Sequence, residues 1–240
     1  MIEFFSTLIM NLINFLVTVT GSYGWALVIL AILIKVILYG PTKQQFESMK
    51  NMSKIQPQVQ KIQELYKDNP QKLQEESMKL YRENNINPLG GCLPMLIQLP
   101  ILWLIWRVIT NYQDIFERTY FLWIGTPLSY KYPDWFGKSL AGQDVFLLFI
   151  YGFSMYLTQK TTTVSSDPKM AAQQNSMGLF MTVFFTWMMF QWKMPCALII
   201  YWLVFNLLSI VQQVMIMNDN KPKQQKTESE TKIKAKGQRA

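Results

Sequence analysis

Long apolar runs separated by charged blocks constrain this chain more than any other feature. The runs cover Tyr23–Tyr39, Cys92 to about Thr110, Val145 to about Thr158, Met177–Trp192 and Cys196–Met217. In lipid every backbone polar group needs an internal partner, so each run must form a helix. Half of the 240 residues are hydrophobic and 16% are charged, against roughly 25% charged in soluble domains. The expected fold class is an all-α polytopic membrane protein with five transmembrane helices.

Composition also excludes chemistry. The chain has no histidine, which removes Ser-His-Asp and Cys-His catalysis and His-ligated zinc. The two cysteines, Cys92 and Cys196, both lie in apolar runs and read as buried thiols. No Walker-type phosphate loop occurs. The expectation is a protein that is not an enzyme and holds no metal or cofactor.

Residues 1–20 read as an amphipathic interfacial helix. Phe4, Phe5, Leu8, Ile9, Leu12, Ile13, Leu16 and Val17 recur at helical spacing, with Glu3, Asn11 and Asn14 on the other face. No basic leader and no A-x-A-like site precede Gly21, so a cleaved signal peptide fits poorly. Residues 21–41 form the first span, closed by Gly40-Pro41. Residues 42–88 read as two antiparallel helices broken at Asp68-Asn69-Pro70, with apolar stripes on Ile55, Val59, Ile62 and on Leu73, Met78, Leu80. Residues 89–217 hold spans two to five, with a loop at 111–143 whose Tyr120, Trp123, Tyr130, Tyr132 and Trp135 suit a membrane interface. Residues 218–240 are basic, nearly free of apolar side chains, and expected to be disordered. The predicted spans are short, about 21 to 26 Å for 14 to 17 residues, against a hydrocarbon core of about 30 Å.

Charge sets the orientation. Of the 23 Lys and Arg, 17 fall in 42–88, 159–176 and the tail, and four on the alternate side. Positive-inside bias then places the helical hairpin and the C-terminus in the cytoplasm and the N-terminus outside. The net charge of +8 suggests anionic lipid or RNA as partners of the exposed segments.

Lys35 interrupts the first run. A cation there costs several kcal/mol unless water or a partner meets it, which makes it a functional candidate. It also lies about 8 Å of helical rise from Gly40, close enough to snorkel to the interface. The residues alone leave both readings open. Arg107 reads as snorkelling too.

Four segments carry a family resemblance. The stretch Asn87-Pro-Leu-Gly-Gly-Cys-Leu-Pro-Met-Leu-Ile-Gln-Leu-Pro-Ile101 resembles the loop-to-span signature of the YidC/Oxa/Alb family of membrane protein insertases. Tyr39-Gly-Pro-Thr-Lys43, Met52-Ser-Lys-Ile-Gln-Pro57 and Met194-Pro-Cys-Ala-Leu-Ile-Ile-Tyr-Trp202 with Asn206 resemble further family segments in register. The resemblance implies a membrane protein insertase and chaperone of the bacterial cytoplasmic membrane that needs no ATP. It is a resemblance to the short form, without the large extracytoplasmic domain. It further implies a hydrophilic intramembrane groove carrying one basic residue, matched here by Lys35, with Gln159 and Trp202 at other groove positions. Most members have Arg where this chain has Lys35. Implied partners are nascent membrane proteins, the ribosome through the basic tail, anionic lipids, and the Sec translocon as a further candidate. The alternative from another class is a small transporter or channel, which would need several polar side chains converging within the bilayer.

Overall fold

The computed structural model describes residues 2–86, 93–162 and 168–219. Cys92, Asp167, the first part of the Asn87–Ile101 signature and the tail beyond residue 219 lie outside the described residues. The described residues are mostly helical: α1 Ile2–Thr20, α2 Tyr23–Ile37, α3 Tyr39–Leu65, α4 Pro70–Glu83, α5 Leu93–Asn111, α6 Gln113–Glu117, α7 Pro127–Lys131, α8 Val145–Thr162, α9 Pro168–Gln191 and α10 Cys196–Asp219. Among the described residues the only β-pairing is an isolated bridge between Phe121 and Ile124.

Local chemistry explains the breaks. Gly21 takes φ +71 and its N–H bonds to the Val17 carbonyl, closing α1 with the left-handed residue that glycine adopts cheaply. Asn69 caps α4 by accepting from the Lys72 N–H, with Pro70 in the first position, where its missing N–H is harmless. The first span differs from expectation. Gly40-Pro41 do not stop the helix but begin the next one, and the break falls at Leu38, where α2 bends by 61° into α3. Proline is tolerated there because first-turn N–H groups have no intrahelical acceptor.

Helix α10 is the centre of the bundle. It packs against α8 and α2 and also touches α5 and α3, while α9 packs on α8 and α1 on α2 and α5. Leu27, Leu30, Leu147, Tyr151, Leu198, Ile199 and Tyr201 form the buried middle. The outside is just as apolar: Phe149, Phe153, Phe180 and Val183 are each at least 60% exposed. An apolar exterior around buried Lys35, Ser154, Gln212 and Gln213 suits lipid rather than water as the solvent.

Several helices are longer than the predicted spans. Helix α8 runs four residues past Thr158, and α9 starts nine residues before Met177. Both α9 and α10 have 24 residues, which is about 36 Å. The predicted shortness came from trimming polar helical turns, and it survives at α2, whose 15 residues rise about 22 Å. By length and composition, Glu3–Thr20 and Cys196–Met215 each suffice to cross a membrane, and α2 with α3 qualifies as a bent pair. Helix α1 buries Ser6, Met10, Ile13 and Leu16 while exposing Phe4, Phe5, Leu8 and Phe15.

The 112–143 connection is a folded cap. Asp144, fully buried, accepts from Trp123 Nε1 at 2.9 Å, the Gly137 N–H at 2.8 Å and the Leu147 N–H at 2.6 Å. The cap also receives the start of α10, through Cys196 N–H to Gly142 O and Ala197 N–H to Leu140 O. Tyr120, Tyr130, Tyr132 and Trp135 are exposed, as an interfacial belt requires. Trp123 departs from that reading, because its indole N–H is committed to Asp144. In the hairpin only Ile55 and Val59 of the expected stripes are buried, and α4 buries nothing.

Candidate functional site

Lys35 stands in the last turn of α2, where the helix dipole favours a cation. Its side chain is only 7% exposed and turns inward to α10 instead of along the helix to the interface. The ammonium Nζ donates to Ser209 Oγ at 2.8 Å and lies 4.4 Å from the centre of the Phe205 ring. Ser209 passes the bond on by donating to the Phe205 carbonyl. A hydroxyl and an aromatic face can hold a desolvated ammonium, and the ring contact contributes about 2 kcal/mol. Neither is a counter-ion, so the charge of Lys35 is solvated but not neutralised by these partners.

A column of polar side chains continues along the same part of α10. Gln212 donates to the Tyr39 carbonyl at 3.3 Å, tying α10 to the first residue beyond the α2–α3 bend. Gln213 is buried and exchanges hydrogen bonds with Thr161 of α8. Toward the other end, Gln98 of α5 donates to the Tyr201 hydroxyl. Gln98 Oε1, Asn206 Nδ2 and Gln212 Oε1 are buried with no hydrogen-bond partner among the described residues. Each such atom costs about 1–3 kcal/mol in a dry interior.

The three residues singled out from the sequence are placed differently. Trp202 lies two turns from Ser209, about 10 Å along α10, and packs against Tyr151 with ring centres 5.7 Å apart. It shares the Lys35-facing side of α10 and lines a cavity between α5, α9 and α10. Gln159 faces α9, where its side chain lies against Gly178. None of the contacts described joins Gln159 to Lys35. Ser209, Phe205, Gln212, Gln213 and Thr161 were not anticipated. Their signal was present: Asn206, Ser209, Gln212 and Gln213 recur at three- to four-residue spacing within an apolar run. Arg107, read as snorkelling, is half-buried with its guanidinium 5.7 Å from the centre of the Trp103 ring.

Comparison with known proteins sets this geometry in context. Residues 15–225 match the sequence model of the family described as 60Kd inner membrane protein. A membrane protein insertase YidC of Endomicrobium trichonymphae is 34% identical over 89% of this chain and 40% of the relative. One from Legionella pneumophila (strain Corby) is 33% identical over 91% of this chain and 37% of its own length. The chain thus spans about two fifths of the length of these curated relatives. Among solved structures, an active YidC insertase with its first transmembrane domain resolved superposes with a TM-score of 0.65. It is 31% identical and covers 87% of this chain, with 45% of that chain matched.

Proposed function

Because this chain belongs to the 60Kd inner membrane protein family, which includes the YidC insertases, we propose that it inserts and helps fold other membrane proteins. It is an all-α, multi-pass bacterial membrane protein. In the proposed arrangement α2, α5, α8, α9 and α10 cross the bilayer, and the α3–α4 hairpin and the C-terminus are cytoplasmic, as the positive-inside bias requires.

The observation that carries the reading is the buried charge of Lys35, whose partners among the described residues, Ser209 and Phe205, are neutral. Its neutral partners can be exchanged for a carboxylate, and a charge-assisted bond is about twice as strong as a neutral one. Acidic residues in the translocating tail of a substrate would exchange with Ser209 and Phe205 at the ammonium. The unpartnered Gln98, Asn206 and Gln212 atoms support a wetted interior that lowers the desolvation cost of such a tail. The hydrophobic segment of the substrate then leaves into lipid. Its partitioning drives the step, with membrane potential adding about 2.3 kcal/mol per charge per 100 mV. Nascent membrane proteins are the proposed substrates. The basic tail is the proposed ribosome contact, and the Sec translocon is a further candidate partner.

The same polar column is what a small anion transporter would need, and that class is the second reading. Reconstitution in liposomes separates the two. Insertion of a single-span protein into a protease-protected state, without solute flux, is expected. Solute flux with no insertion would overturn the insertase reading.

A further inference from the structure

Lys35 is enclosed, so a carboxylate reaches its ammonium only when a covering group moves aside. The two covers described above, one turn apart on the same face of α10, differ in freedom. Ser209 Oγ donates to the Phe205 carbonyl at 2.8 Å, which ties the short side chain that accepts from Lys35 to the helix backbone. The Phe205 ring is half-buried, with its centre 4.4 Å from the ammonium. Its further aromatic neighbour is Tyr201, one turn back on α10, whose ring centre is 6.1 Å away with the planes tilted by 32°. Phenylalanine has no polar atom to anchor it, so the ring can turn about its side-chain bonds where the hydroxyl cannot.

The ring contact stabilises the ammonium while no substrate is present, and it is given up when a carboxylate takes the ring's place. An interaction made only in the waiting state subtracts from the affinity for the substrate. A neutral tail has nothing with which to offset that loss, whereas a carboxylate offers a charge-assisted bond. We propose that Phe205 is the specificity-determining residue of the Lys35 site. It is a movable aromatic cover that competes with substrate carboxylates for the ammonium and restricts engagement to strongly acidic tails. The proposal rests on the insertase reading above and adds to it the residue that sets the threshold.

The test uses the full chain, at limiting amount, in liposomes with two single-span substrates that differ only in carrying an acidic or a neutral translocated tail. The readout is the ratio of the two insertion rates, in which the quantity of folded protein cancels. Phe205→Leu keeps an apolar side chain and removes the ring face. The strength of such a contact predicts a rise of about twofold to thirtyfold in the acidic-to-neutral ratio. Phe205→Trp, with the stronger ring face, should lower the ratio toward one. In a Lys35→Ala background Phe205→Leu should leave the ratio where Lys35→Ala puts it, because no ammonium remains to be released. A ratio that is the same with Leu, Phe and Trp at this position, while Lys35→Ala still lowers it, overturns the proposal and leaves the insertase reading standing. So does a rise with Phe205→Leu that persists in the Lys35→Ala background, as a purely structural effect of the ring would. A ratio untouched by Lys35→Ala itself would instead remove the charge-based reading on which the proposal rests.

Discussion

Asp144→Ala should destabilise this protein more than any conservative change in the transmembrane core. The carboxylate is fully buried and accepts from three donors: Trp123 Nε1, Gly137 N–H and Leu147 N–H. Alanine removes all three acceptors and leaves the donors enclosed. Each stranded donor costs about 1–3 kcal/mol, and the Leu147 bond is also the helix cap of α8, worth about 1 kcal/mol by itself. Relaxation of the cap keeps the total near the lower bound for three donors, the cap bond being one of them, at about 3 kcal/mol. Asp144→Asn keeps one oxygen for Trp123 and Gly137 and turns an NH2 toward Leu147, so about 2 kcal/mol is expected. Trp123→Phe strands no donor and should cost less than either. Unfolding free energies in a mixed-micelle titration, measured with W123F, D144A and the double variant, give the coupling between the pair. If D144A lies within about 0.5 kcal/mol of the unaltered protein, the cap is not held by this carboxylate. Activity per folded molecule should be unchanged, because Asp144 fixes where α8 begins and touches no proposed substrate position.

Three further outcomes are expected. Gly24→Ala would place a methyl carbon 2.1 Å from the Phe121 ring, so a loss of about 1–3 kcal/mol in the same titration is expected, partly recovered by F121A. Deleting residues 221–240 should weaken ribosome co-sedimentation at low salt, since that segment carries seven Lys and Arg; unchanged binding would leave the tail as a solubilising end. Photo-crosslinkers at Tyr66 and Tyr81, on the loosely packed hairpin, should capture a nascent substrate. Crosslinks confined to the spans would make the hairpin a folding element only.

How much of this was legible in the sequence follows from what each residue reports. Apolar runs report helices, because lipid allows little else, and all five runs became helices. Their ends were misjudged where polar residues continue a helix: Thr161, beyond the predicted end of the third span, pairs with buried Gln213 across the α8–α10 contact and is not loop-like. Gly40-Pro41 punctuates a chain in either direction, and only the bend at Leu38 shows which helix it belongs to. Lys35 was legible as a position but not as an environment. Its ring and hydroxyl partners lie about 170 residues away, and no local pattern links them. Asp144 was overlooked because a single acid before an apolar run looks like a boundary. Its two side-chain oxygens gather donors from three separate segments.

Charge substitution at Lys35, read against the charge of the substrate, tests the central claim most directly. Insertion would be measured in liposomes for single-span substrates that differ only in the number of acids in the translocated tail. Lys35→Arg should preserve insertion, because the charge and approximate reach remain. Lys35→Glu should impair acidic-tailed substrates most, Lys35→Ala should fall between, and neutral-tailed substrates should be nearly indifferent to all three. Equal insertion of every substrate by the Lys, Ala and Glu forms would contradict the account. The buried ammonium on Ser209 and Phe205 would then be a packing feature of α2 and α10.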